Sequence, residues 1–220
     1  MSKELIKRII TSLFLVFLLI LTIYYSYILI ISLIIISLIS WIEFNALFRK
    51  IFIKNKLKTN SLNLFLKFLS LLYLTFFSAI VFKSMTDLAI RDYTIYIFCI
   101  CIFSDIGGLF FGKFFGGKKL TKISPNKTIS GSIGSFFLCL VLVPFFIYFF
   151  SNSSDPFFLI LLTIIISFIC QLGDLFISYL KRKANVKNTG DLLPGHGGVL
   201  DRIDGILFAV PFGLVVLFYL

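Results

Sequence analysis

The stretch from Ile9 to Ile42 reads IITSLFLVFLLILTIYYSYILIISLIIISLISWI, and it decides the fold class. It contains no Asp, Glu, Lys, Arg or His. Because about 20 helical residues cross the hydrocarbon core of a bilayer, the stretch is too long for one span and long enough for two short ones. Tyr24, Tyr25 and Tyr27 lie in its middle, where a turn at the membrane interface would place aromatic residues. We therefore predict a helical hairpin of two transmembrane spans.

Further apolar stretches continue to the C-terminus, at residues 62–82, 93–111, 133–150, 157–177 and 203–220. With 59% hydrophobic residues, the chain is too apolar for a soluble domain of its length. We predict an all-α, polytopic integral membrane protein with about seven transmembrane helices. Within this single membrane domain, we expect N-terminal membrane helices over residues 1–103 and a catalytic membrane region with two cytoplasmic motif loops over residues 104–220.

The basic residues form four clusters, which all lie on one side of the membrane if the first stretch is a hairpin. The clusters are Lys3–Arg8, Arg49–Lys58, Lys113–Lys127 and Lys181–Lys187. The positive-inside rule makes these loops cytoplasmic and predicts a multi-pass protein of the inner (cytoplasmic) membrane, with its active site facing the cytoplasm. The net charge of +11 is explained by this topology and by anionic lipids, so no nucleic-acid partner is expected.

The first stretch with residues suited to ligand binding is Ser104–Gly134, SDIGGLFFGKFFGGKKLTKISPNKTISGSIG. Asp105 stands near the inner end of a span, where an ionised carboxylate is costly unless it is paired, hydrated or bound to metal. The glycines and lysines that follow it would let backbone N–H groups and positive charge approach a phosphate. An alternative is that the glycines are small residues at helix crossings. Both interpretations stay open on the sequence.

The second stretch is Ser178–Asp204, SYLKRKANVKNTGDLLPGHGGVLDRID, which concentrates charge between two apolar spans. Just before it, Asp174 lies four residues from Ser178, and Lys181 or Arg182 continues the same helical spacing. One helix face would therefore carry a carboxylate, a hydroxyl and a cation.

Two further aspartates close this stretch. Asp201 and Asp204 are separated by three positions and would point the same way at the start of a helix. Together with Asp174 they could bring three oxygen ligands to one point, as Mg²⁺ prefers when it shares its coordination shell with substrate phosphates. The alternative is that Asp201 caps the last helix and Asp204 pairs with a cation.

His196 and Glu43 each allow a role at the same site. His196, the only histidine, stands between Gly195 and Gly197. We predict a turn there that passes close to a ligand, with the imidazole as a hydrogen-bond donor. Glu43 lies at the inner end of the second span and faces either the site or water.

These residues resemble a known family. Ser178, Lys181, Arg182 and Lys187, followed by LPGHGGVLDRID over residues 193–204, look like the C-terminal signature of phosphatidate cytidylyltransferases, also called CDP-diacylglycerol synthases. Residues 105–113 and 124–128 are similar to that family's second motif, and residues 171–174 are similar to its third. The resemblance extends from Ser104 to the C-terminus.

The resemblance implies transfer of a cytidylyl group from CTP to phosphatidate, with Mg²⁺ as cofactor. The residues it implies for catalysis are Asp105, Asp174, Lys181, Arg182, His196, Asp201, Arg202 and Asp204. The implied metal ligands are Asp174, Asp201 and Asp204. The residues it implies for substrate binding are Ser124, Lys127, Thr128, Ser178, Lys187, Gly197 and Gly198.

The chain departs from the family pattern at Asn188, where an acid is usual, and at Ser130, where Glu is frequent. An inactive relative is therefore one alternative, and a CTP-dependent lipid kinase of the polyprenol or phytol type is another. A membrane transporter is the main alternative that is not an enzyme. The sequence also leaves open which loop binds CTP and which the lipid phosphate, and whether the protein forms a homodimer.

Overall fold

The computed structural model describes residues 17–54, 60–121, 123–125, 127–149, 155–192 and 197–219, and these residues are mainly helical. The named helices are α1 (Ser26–Lys54), α2 (Asn60–Thr86), α3 (Leu88–Phe115), α4 (Ile129–Leu140), α5 (Leu142–Phe149), α6 (Pro156–Lys183) and α7 (Leu200–Tyr219). Residues 17–24 are also helical and precede α1, with an interruption at Tyr25.

Several helical stretches have the length and composition needed to cross a bilayer. In the described parts of the chain these are Ser26–Phe52, Ser61–Thr86, Leu88–Phe115, Ile129–Phe149 and Pro156–Lys183. Large apolar side chains on these stretches point outward, including Leu64, Phe114 and Phe157, each more than 70% exposed. Such a surface suits a lipid environment and not water. The chain is thus an all-α, multi-pass membrane protein, and the predicted fold class is confirmed.

The helices are longer than the apolar stretches that predict them. Helix α1 passes the predicted end at Ile42 and continues through Arg49 and Lys50, while α6 continues through Lys181 to Lys183. Lysine and arginine are good helix formers, so these charged residues extend the helices and do not end them. The interruption at Tyr25 falls where we predict a turn, but residues 9–16 of the predicted first span lie outside the described residues.

Proline explains an interruption inside the predicted span at residues 133–150. Helices α4 and α5 together form the span Ile129–Phe149, yet α4 ends at Leu140. Pro144 has no N–H to donate to the carbonyl of Leu140, and its ring clashes with that carbonyl in an unbroken helix. The α-helix is therefore interrupted at Val141, whose φ and ψ of −61° and −25° stay in the right-handed helical region, and α5 begins at Leu142.

The chain forms two compact units. The first unit contains α1 and α2 together with Leu180–Ile203. Within it, the hydroxyls of Ser37 and Ser78 lie 2.6 Å apart, and the Trp41 indole N–H donates to the Lys67 carbonyl over 3.1 Å. These bonds fix the register of α1 against α2 around a core that includes Leu47 and Leu74.

The second unit contains Asp87–Tyr179 and Asp204–Leu220, and in it α3 and α4 cross at glycines. A Cβ on Gly107 would lie 2.8 Å from the Gly134 carbonyl oxygen, and one on Gly131 would lie 2.6 Å from the Gly108 carbonyl oxygen. Only glycine permits this backbone approach. For these positions, the alternative that the glycines serve a helix crossing is confirmed. The functional division at residue 103 stays a prediction.

The predicted topology can be tested with single cysteines that react with a membrane-impermeant reagent. We expect positions 2, 56, 119 and 187 to be labelled only after the cells are opened, and position 153 to be labelled in intact cells, because basic loops remain cytoplasmic. Labelling of Lys119→Cys in intact cells would contradict the arrangement.

Candidate active site

Helix α6 ends in a cap that turns the chain into the second motif loop. Asn185 has a φ of 55°, and its N–H donates to the Arg182 carbonyl over 3.1 Å. The Val186 N–H donates to the Lys181 carbonyl over 3.0 Å. These two bonds form a Schellman motif, in which asparagine tolerates the left-handed conformation that is usually taken by glycine. The cap follows directly on the last helical turn, which contains Lys181.

Asp201 organises the loop that follows. Its Oδ1 accepts from the Lys181 ammonium over 2.7 Å, and its Oδ2 accepts from the N–H groups of Thr189 and Gly198 over 2.8 and 3.1 Å. The Thr189 hydroxyl also lies 3.1 Å from Oδ2. The Lys181 and Asp201 side chains are only 14% and 11% exposed, so this ion pair is shielded from water. The structure thus brings together two residues that the sequence predicts for the site.

This environment changes the acidity of Asp201. Burial by itself raises the pKa of the carboxyl. The hydrogen bonds from Lys181, Thr189 and Gly198, with the positive charge of Lys181, outweigh burial and lower the pKa below its ordinary value of 3.8. Asp201 is therefore ionised at neutral pH and available to attract a cation.

Two motif glycines are required by the loop's own packing. Gly197 has a φ of 82°, where a side chain would be strained. A Cβ on Gly198 would lie 2.5 Å from a Glu43 carboxylate oxygen and would overlap the Thr189 hydroxyl. Glu43 lies beside the backbone of Gly198, and ligand binding by Gly197 and Gly198 stays a prediction. His196 lies outside the described residues, and its role stays a prediction.

Glu43 is the residue whose importance sequence reasoning underestimates. It is 6% exposed and bonds to the Thr189 hydroxyl and to the N–H groups of Val199 and Leu200. It therefore faces the loop and not water. The sequence does carry a signal for this role, because a single ionised acid in an apolar helix is costly unless it has a partner.

The second unit contains a matching ion pair. Lys127, which follows the glycine-rich turn, contacts the Asp174 carboxylate on α6, with side-chain exposures of 28% and 23%. The Ser178 hydroxyl donates to Asp174 Oδ1 over 3.4 Å, so these two residues share the predicted helix face. The structure thus joins one predicted residue from each motif loop.

The glycine-rich turn is built to present its backbone. Gly116 and Gly117 have φ values of 59° and 104°, and a Cβ on either would meet nothing within 4 Å. A short antiparallel bridge between Lys119 and Thr128 closes the turn, and the Leu120 N–H donates to the Lys127 carbonyl over 2.8 Å. Here the glycines serve an open turn, and their binding of phosphate stays a prediction.

Hydroxyl residues hold the base of this turn. Thr128 caps α4 by accepting the Gly131 N–H over 3.1 Å, and its hydroxyl lies 3.0 Å from that of Ser130. Ser130 also donates to the Gly116 carbonyl. Ser130, which stands where Glu is frequent in the family, therefore helps to close the turn. Ser124, half-buried in the same turn, donates its N–H to Thr121.

Two other predicted acids lie in the second unit. Asp204 is 7% exposed and its Oδ1 accepts the Gly205 N–H over 2.9 Å, whereas Asp105 is exposed. Asp105, Asp174 and Asp204 all belong to this unit. The predicted phosphate ligands Arg182, Lys187 and Arg202 are exposed.

The donor chemistry suits Mg²⁺ that arrives with phosphates. Among the described residues, no three His, Cys, Asp or Glu side chains form a group that would hold a metal ion by themselves. Mg²⁺ usually takes one or two carboxylates and completes its shell with water and substrate phosphates. The hard oxygens of Asp174, Asp201 and Asp204 fit that chemistry, and their assignment as metal ligands stays a prediction.

The low pKa of Asp201 predicts a specific pH dependence of stability. A carboxyl whose pKa is lower in the folded protein stabilises fully above its unfolded pKa, about 4, and loses that contribution as the pH falls through the folded value. We expect the difference in thermal midpoint between wild type and Asp201→Asn, measured in detergent, to shrink below about pH 4. Asp155→Asn controls for the loss of an exposed carboxylate. A difference that is constant from pH 7 to pH 3 would contradict the assignment.

Comparison with known proteins agrees with these motifs. The chain is 44% identical over 120 residues to a phosphatidate cytidylyltransferase of Staphylococcus aureus (strain COL), covering 54% of this chain and 46% of the relative. It is 46% identical over 121 residues to a phosphatidate cytidylyltransferase of Bacillus subtilis (strain 168), covering 53% and 45%. The matched segment thus spans less than half the length of these curated relatives. The sequence profile of the cytidylyltransferase family matches residues 2–220, so the chain belongs to the cytidylyltransferase family.

Proposed function

We propose that this protein transfers the cytidylyl group of CTP to phosphatidate, giving CDP-diacylglycerol and pyrophosphate at the cytoplasmic face of the inner membrane. A phosphate oxygen of phosphatidate attacks the α-phosphorus of CTP. The bond between the α-phosphorus and the oxygen that bridges to the β-phosphate then breaks, and pyrophosphate leaves with that electron pair.

The observation that carries the proposal is the pair of lysine–aspartate contacts held by the two motif loops. Lys127 pairs with Asp174 in the second unit, and Lys181 pairs with Asp201 in the first. An ammonium complements a phosphate, and a carboxylate complements a divalent cation. When a metal-bound phosphate binds, the lysine of each pair can contact the phosphate and the aspartate can contact the metal ion. Neither charged side chain is then left unpaired.

The chemistry requires positioning and charge compensation more than a protein nucleophile. The lipid phosphate is already ionised, so no serine, cysteine or histidine has to become the attacking group. The four cysteines are free thiols, and Cys101, Cys139 and Cys170 are buried among helices. What the site must overcome is repulsion between two anions, and lysines and backbone N–H groups provide that compensation.

A bound Mg²⁺ would add charge neutralisation on the phosphates and on the departing pyrophosphate. In this proposal Asp174, Asp201 and Asp204 hold the ion, while Lys127, Lys181, Arg182, Lys187 and Arg202 contact phosphates. The names of the matched relatives support CTP and phosphatidate as the substrates.

Position-specific labels on CTP separate the proposal from its nearest alternative. In the proposed reaction the α-phosphate enters the lipid and the γ-phosphate leaves in pyrophosphate. A CTP-dependent lipid kinase would transfer the γ-phosphate to a lipid alcohol. We expect purified protein with Mg²⁺ and phosphatidate to place the label of α-labelled CTP in a lipid, and the label of γ-labelled CTP in pyrophosphate.

The control replaces phosphatidate with a polyprenol or with diacylglycerol, for which no labelled lipid is expected. Transfer of the γ-label to lipid would favour the kinase, and absence of any labelled lipid would contradict the proposed function. Asp155→Ala serves as a matched carboxylate variant, because Asp155 accepts the Phe157 N–H at the start of α6 and is not among the predicted site residues.

A further inference from the structure

Glu43 is a carboxylate buried within an apolar helix. It lies on α1 in the stretch Ser26–Phe52, which is long and apolar enough to cross a bilayer, and only 6% of its surface is exposed. Burying a carboxylate costs several kcal/mol unless hydrogen bonds or a cation compensate for the lost water. The identity of its partners therefore shows what the residue stabilises.

Among the described residues, the hydrogen-bond donors to Glu43 come from one segment. Its Oε2 accepts from the Thr189 hydroxyl over 2.6 Å and from the Leu200 N–H over 2.9 Å, and its Oε1 accepts from the Val199 N–H over 2.9 Å. The donors lie at the two ends of the loop that leads into α7. One side chain thus ties both ends of this loop to α1.

The glycines of the loop fit against this same carboxylate. A Cβ on Gly190 would lie 2.8 Å from Glu43 Oε1, and a Cβ on Gly198 would lie 2.5 Å from Oε2 and 2.7 Å from Oε1. Any larger residue at either position would push the loop away from α1. The backbone at Gly190 and Gly198 therefore lies so close to the Glu43 carboxylate that no side chain fits between them.

Glu43 is linked to Asp201 through Thr189 and Gly198. The Thr189 hydroxyl lies 2.6 Å from Glu43 and 3.1 Å from Asp201, and it has only one hydrogen to donate. The N–H groups of Thr189 and Gly198 remain directed at Asp201. The groups that orient Asp201 are therefore themselves held in place by Glu43.

We propose that Glu43 is a positioning residue for the transfer reaction: it fixes Thr189, Gly198 and the start of α7 so that Asp201 and Lys181 meet the substrates in one geometry. This inference rests on the proposed function for its kinetic test. Glu43 contacts neither reacting atom in this account and acts through Thr189, Gly198 and the start of α7. The negative charge also suits the positive end of the α7 dipole.

The central variant is Glu43→Gln, which keeps size and shape but replaces one acceptor oxygen with an amide N–H₂. That group would face backbone or hydroxyl donors and could not accept from them. Losing one hydrogen bond to a charged group costs about 1.5–3 kcal/mol, which corresponds to a fall in kcat of about 10–150-fold if the loop geometry governs turnover.

Hydrogen exchange gives a readout that does not depend on activity. We expect Glu43→Gln to speed amide exchange in peptides that cover residues 189–200, and to leave peptides from α3 and α4 unchanged. Asp87→Asn is the matched control, because Asp87 also accepts an N–H at a helix start, that of Ala89 over 3.0 Å, but caps α3. It should alter neither exchange in the loop nor kcat.

A double-mutant cycle tests the shared hydroxyl. Thr189→Val should reduce kcat as Glu43→Gln does, the double variant should be little worse than either, and Thr189→Ser should retain most of the wild-type kcat. Independent structural damage would instead make the two losses multiply.

Three results would overturn the positioning role. The first is unchanged loop exchange in Glu43→Gln, and the second is the same increase in exchange in Asp87→Asn. The third is a Glu43→Gln variant with faster loop exchange but a kcat within about twofold of wild type, because the loop would then not govern turnover. If wild-type protein forms no CDP-diacylglycerol, the proposed function fails, while loop exchange still tests whether Glu43 holds residues 189–200.

Discussion

A carboxylate at the edge of the hydrocarbon must be surrounded by donors or cations, and this constraint shapes the polar part of the molecule. Glu43 satisfies it with two N–H groups and a hydroxyl, Asp201 with Lys181 and two N–H groups, and Asp174 with Lys127 and Ser178. Each carboxylate thereby fixes the loop segment that carries its partners. The loops are ordered by the same charges that make them chemically useful.

The three carboxylates differ in how replaceable their partners are. The partners of Glu43 are parts of the backbone and a short hydroxyl, which cannot swing away without moving the loop. Lys127 and Lys181 end flexible side chains, so in the proposed mechanism Asp174 and Asp201 release them when a cation and a phosphate arrive. This difference separates the positioning role proposed for Glu43 from the exchange of partners proposed for Asp174 and Asp201.

The sequence predicts the helical membrane fold because long uncharged stretches have few other solutions in a bilayer. It also predicts that Asp174 and Ser178 share a helix face, since helical spacing is a local property. Helices α1 and α6 continue beyond Ile42 and Ile177, where the predicted spans end, because lysine and arginine are good helix formers. Pro144 interrupts its span for a reason that the sequence does show.

The role of Glu43 could not be predicted in the same way. Its partners Thr189, Val199 and Leu200 lie far from it in the chain, and no periodicity links α1 to that loop. Sequence reasoning could say only that an acid in an apolar helix needs a partner. Likewise, it left open whether the glycines serve phosphate binding or helix crossing, and the structure assigns Gly107 and Gly131 to the crossing and Gly116 and Gly117 to the turn.

The central claim is that Asp174 and Asp201 each exchange their lysine for Mg²⁺ that binds with CTP. The most direct measurement is the equilibrium binding of CTP to the purified protein across a titration of Mg²⁺, in wild type and in the variant carrying Asp174→Asn and Asp201→Asn. The account predicts that Mg²⁺ raises CTP affinity by about tenfold or more in wild type and in an Asp155→Asn control, and by far less in the double variant. The same Mg²⁺ dependence in a folded double variant would contradict it.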